Sequence, residues 1–214
     1  MANETSKIIL SKQDLREVTG YAAECAQVVL EIFEWAHPPD SRPRDAIDAA
    51  WAFARGGERG KSLRDAAWAA LKAARDADTA AASEAARAAM VAASAAYLHP
   101  LADAHQVKHI LGAAAHAARA AELMAGADRA VGAAHIDQAR RRATPGVVDV
   151  LSRYPQAPPG GGRVGELLRI WMRPSASVPE GQISVTMTSV ADARSVRMLR
   201  IRIVIETLLA LQTF

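Results

Sequence analysis

The 214 residues hold a single cysteine, Cys25, so the chain has no intrachain disulfide framework. Lysine is scarce, with five residues against 21 arginines. This skew accompanies alanine enrichment, as in a GC-rich genome, and carries no arginine chemistry by itself. Long apolar runs are missing as well. Ile8-Ile9-Leu10 is too short for the core of a signal peptide, and the charge-free stretch Ala88 to Ala102 falls short of a bilayer span. A soluble, cytoplasmic protein without membrane contact is expected. G-x-S-x-G, H-E-x-x-H, C-x-x-C and nucleotide-binding fingerprints are all absent. Gly160-Gly161-Gly162 lacks the Lys-Ser/Thr of a P-loop and follows no strand. No cofactor is therefore expected.

What is present is alanine, 44 of the first 150 residues but only 5 of the last 64. Alanine is the best helix former and permits close helix packing. The composition predicts an all-α, alanine-rich bundle of seven or eight helices over residues 1–171. Residues 172–214 are expected to be an extension of β or disordered character, in which Arg200-Ile201-Arg202-Ile203 alternates like a half-buried strand. The formal charge is +3, yet residues 1–169 carry only about one net positive charge. A nucleic-acid binder concentrates its cations, and the helical part shows no such concentration, so nucleic acid is excluded as a partner. The sequence carries no indication of oligomeric state.

Local features place the helices. Ser11 opens S-K-Q-D, a capping start for a helix running from Gln13 to Ala36, with Cys25 on its apolar face as a packed small residue. Pro38-Pro39 stops it. Asp40-Ser41-Arg42-Pro43 opens a second helix, Ser62 a third, and Asp78 caps a fourth that reaches Tyr97. Further helices are expected near Ala133 to Arg142, after Thr144-Pro145, and from Val164 to Trp171, with Gln156 to Gly162 as a loop.

The chain is organised around Leu101 to Met124. On a helical wheel, Val107, Ile110, Leu111, Ala114, Ala118 and Ala121 make a core stripe. His105, His109 and His116 gather opposite, bracketed by Leu101 and Leu123, with Lys108, Arg119 and Glu122 as a polar strip between. His105 and His109, four apart, can address one metal ion, whereas His116 lies too far along the helix to join them. Glu34, His37 or His99 would have to complete such a site, as separate helices do in DinB-type hydrolases. A metal-dependent hydrolase on His105 and His109 is thus the alternative reading. The preferred reading gives the histidines a structural role between helices, or a place along a surface groove. Glu34-Trp35-Ala36-His37 has the spacing of di-iron bundles but occurs once, where two copies are needed. Arg140-Arg141-Arg142 is read as a solvated helix end, where cations meet the macrodipole favourably.

Five segments together resemble one family: DLREVTGYAAECAQVVLEIFE, DSRPRDAIDAAWAFARG, LRDAAWAALKAARDA, YLHPLADAHQVKHILGAAAHAARAAEL and RRATPGVVDVLSRYP. They are similar to the immunity proteins of bacterial polymorphic-toxin systems, the fifth numbered immunity-domain family and its close relatives. The resemblance covers residues 11–169 and is most specific in the histidine segment. It implies an all-α, non-catalytic protein whose partner is a cognate toxin domain. The family supplies no catalytic residues to carry over. Candidate partner-binding residues are His99, Asp103, His105, Lys108, His109 and His116.

Overall fold

The computed structural model describes residues 7–173. Among them are nine α-helices: α1 (Lys12–Gln27), α2 (Leu30–Ala36), α3 (Arg42–Ala54), α4 (Lys61–Asp76), α5 (Ala80–Ser94), α6 (Val107–Met124), α7 (Arg129–Arg142), α8 (Pro145–Ser152) and α9 (Gly162–Met172). Short 3-10 turns at Ala95–Tyr97 and Ala104–Gln106 connect α5 to α6. The expected β-branched tail lies, from Pro174 onward, outside the described residues.

Helices α5 and α6 pack on each other at the centre. Around them, α1 touches both, α2, α3 and α4 lie on α5, and α7 and α9 lie on α6. Small side chains make this possible, since nine residues of α5 and twelve of α6 are buried, most of them alanine. Gly112 marks a tight point of this packing, where a Cβ would come within 3.1 Å of Val91. Larger residues fill the outer seams. Phe33 and Phe53 are fully buried, and the Trp171 indole N–H donates to the Tyr21 hydroxyl at 2.9 Å between α9 and α1.

Several helix starts follow local chemistry. Ser11 and Asp14 form a reciprocal capping box, with bonds of 2.8 and 3.0 Å. Thr144 accepts from the Val147 amide ahead of Pro145. Two expected caps are displaced by one or two residues. Thr79, not Asp78, accepts from the Ala82 amide, and α4 starts from Gly60, ahead of Ser62. The predicted first helix breaks in two. Val29 leaves helical geometry at φ −116° and ψ 4°, and the next helix carries Leu30 and Phe33 inward against α5. Paired β-branched residues have weak helix propensity, so the break falls where it costs least.

The organising helix also starts later than predicted. Leu101 is extended, bridged to Lys7, because the Ile8 amide donates to the Pro100 carbonyl. Asp103 then caps the short turn, and α6 proper begins at Val107. Its predicted core stripe is buried throughout. Glu122 departs from the expected polar strip: it is 1% exposed. Arg119 reaches it at 2.5 Å, and Arg163 of α9 does so at 2.8–2.9 Å. Burial alone would raise the Glu122 pKa; the two guanidinium groups reverse that and hold it below the usual carboxylate range. No helix among the described residues is long and apolar enough to cross a membrane.

Candidate functional site

The outer faces of α5 and α6 do not close against each other, and two adjoining hollows run along them. One, of about 580 Å³, lies between α5, α6 and the start of α9. The other, of about 910 Å³, lies between α4, α5 and the Tyr97–Pro100 segment. Met90, Ser94 and His109 line both, so together they make one groove with His109 at its waist.

The histidine face opens onto this groove. His105, Lys108, His109 and His116 all line the smaller lobe, and His99 joins His109 in the larger one. Their surroundings differ. His105 and Lys108 are exposed. His116 is half-buried and its Nδ1 meets Glu84 Oε2 of α5 at 2.5 Å, a tie between the two central helices. His109 is half-buried beside the backbone of Ser94. Burial first, and the nearby His99 second, lower its pKa below the ordinary 6.5, so its ring is neutral at pH 7. His99 is exposed, its amide donating to Gln106 and its carbonyl accepting from Tyr154. Asp103 alone of the six candidates lines neither lobe; its carboxylate caps the turn before α6 by accepting from the His105 amide at 2.7 Å. The expected cover over the face is partial. Leu101 is 42% exposed, and α9 shields only the smaller lobe through Val164, Gly165 and Leu168.

Sequence reasoning missed the far side of the groove. Arg59 and Arg64 both lie against the Tyr97 ring, 5.5 and 5.2 Å from its centroid. Arg59 also donates to the Ala96 carbonyl at 3.0 Å, and the Tyr97 hydroxyl donates to the Gly60 carbonyl at 2.8 Å. Trp68, one turn after Arg64, is 64% exposed at the same rim. A cue for its exposure lies in the spacing, because Leu63, Ala67, Ala70, Ala73 and Ala74 make the buried face of α4 without it. No such cue marked Arg59 or Tyr97, which sit 38 residues apart in the chain.

Among the described residues, no three His, Cys, Asp or Glu side chains are placed to hold a metal ion, so the hydrolase reading of His105 and His109 lacks its third ligand. Glu34 instead pairs with Arg44 at 2.6 Å, and His37 packs against Phe33. Cys25 is 2% exposed, and burial pushes its thiol pKa up to about 12, which removes the thiolate at neutral pH.

A family model described as "Imm-5 like putative immunity protein" matches residues 9–144. That range runs from the start of α1 through α7 and contains both lobes of the groove except the residues contributed by α9 and the loop before it. No curated protein and no solved structure matches the chain.

Proposed function

The chain belongs to the Imm-5 like putative immunity protein family, and we propose on that footing that it binds and neutralises a bacterial toxin domain without catalysing a reaction. The observation that carries this reading is the family match across the helices that build the groove. The character of the groove supports it. An exposed tryptophan, a tyrosine and arginines at one rim are the residue types that dominate the binding energy of protein interfaces. Neutralisation by binding requires a surface of about 800 Å² on this side, so a partner seated in the groove would also have to cover the helix surface around it. The cytoplasm of a bacterium that makes the toxin is where such a protein would act. His99, His105, Lys108, His109 and His116 are the contact candidates, while Asp103 holds the turn that presents them.

Co-expression tests the proposal. If a toxin domain is encoded beside this gene, cells producing it should survive when this chain is also made, and the two proteins should co-purify as a stable complex. Survival without a complex, or a complex without survival, would refute neutralisation by binding.

A further inference from the structure

The two guanidinium groups at Tyr97 pose a physical problem. Arg59 and Arg64 are like charges gathered on one ring, which costs Coulomb energy unless an anion offsets it. No carboxylate lines that lobe of the groove. Lys61, also at its rim, already has Asp65 at 2.6 Å, and the single acidic residue of the other lobe, Glu84, is held by His116. Arg87 and Lys108 extend the positive character into that second lobe. The arrangement is also pre-formed. Tyr97 is tied to Gly60, and Arg59 to Ala96, so neither side of the Tyr97 cluster has to be ordered on binding.

We propose that the groove is a docking site for an acidic, extended polypeptide segment of the partner. Its carboxylates lie against Arg59 and Arg64, and its path continues past His109 toward Arg87 and Lys108. This deepens the toxin-binding reading and rests on it for the partner being a protein. The floor supports a polypeptide over a nucleic acid. Leu71, Met90 and Leu98 line the same lobe as the cations, which suits carbon side chains set among carboxylates. A phosphate backbone calls instead for an unbroken basic stripe. Trp68 stands at the edge to cover such a segment once it is seated.

The experiment uses the full chain and three labelled probes: a peptide of alternating glutamate and serine, the same peptide with glutamine for glutamate, and a single-stranded oligonucleotide of equal charge. Fluorescence anisotropy at low salt should show binding of the glutamate peptide above both others. The Arg59→Glu/Arg64→Glu double variant should bind it at least about tenfold more weakly, a change of about 1.4 kcal/mol. The Arg75→Glu/Arg141→Glu double variant, at exposed positions of α4 and α7 outside the groove, should bind like the parent and control for the same change in net charge. Circular dichroism melts establish that each variant is folded. Equal losses in the groove and control variants overturn the proposal, as does preference for the oligonucleotide or absence of glutamate-peptide binding. Failure of the co-expression test with peptide binding intact would sink toxin neutralisation alone, so the two ideas fail separately.

Discussion

Helix α6 carries charge at both ends, and the two ends handle it differently. Near its C-terminus, Glu122 is sunk beneath α7 and α9 with Arg119 and Arg163 on its oxygens. Arg163 in turn meets Glu166 at 3.0 Å, and Glu166 meets Arg129 at 2.8 Å. Every charge there has a counter-charge, and the cluster pins three helices together. Near the N-terminus, the groove gathers Arg59, Arg64, Arg87 and Lys108 with Glu84 as the single carboxylate along its walls. A cluster in which every charge is paired completes the fold, whereas the unpaired cations of the groove are what the proposed acidic partner would meet. That contrast separates a structural network from an interaction surface more sharply than the histidines do, because they contribute to both.

The largest expected effect lies at the closed end. Glu122→Ala leaves the Arg163 side chain, 12% exposed, without its principal partner, and removing one member of a buried pair costs about 3–5 kcal/mol. Urea denaturation should show that loss, and the contrast drawn above collapses if the variant unfolds at the parent's midpoint. Tyr21→Phe tests the neighbouring seam, where α9 meets α1. Tyr21 is 4% and Trp171 6% exposed, so the substitution strands a buried indole N–H. A loss of about 1–3 kcal/mol follows, with no change in binding by the groove.

The same contrast explains what could be read from the chain beforehand. Local rules sufficed where cause and effect are neighbours. Ser11 and Thr144 cap their helices as read, Cys25 packs as a small apolar residue, and the stripe from Val107 to Ala121 is core. The all-α class followed from alanine alone. The break at Val28-Val29 was hidden because it answers to α5, some 50 residues away, and not to anything in its own turn. Glu122 looked like a surface residue on the wheel because its counter-charge, Arg163, arrives 41 residues later. The histidine half of the groove was legible as a face of one helix. The arginine–tyrosine half was not, because α4, its preceding loop and the turn after α5 meet only in the folded chain.

Acid should expose the dual role of the histidines. His109 has a pKa below 6.5 in the fold, and so has His135, each mainly through burial. The unfolded chain therefore binds more protons than the native one below pH 6.5, and stability falls as pH drops through that range. His109→Gln should flatten this slope while leaving the part due to His135. A parent whose stability is constant between pH 7 and 5 would contradict the half-buried placement of both rings.

The smallest effect is the most discriminating. Arg64→Gln removes a stacking contact with Tyr97, worth about 0.5–1 kcal/mol at an exposed site, but also relieves repulsion from Arg59 of similar size. Net stability should stay within about 0.5 kcal/mol of the parent. Salt resolves the two terms, since it screens the repulsion between the arginines. The parent should gain stability relative to Arg64→Gln as sodium chloride rises from low to high concentration, by urea titration at each. Were Arg64 instead paired with a carboxylate of its own chain, added salt would weaken the parent relative to the variant. That opposite slope would mean that the positive rim of the groove is already neutralised within the fold and has no charge to offer an acidic partner.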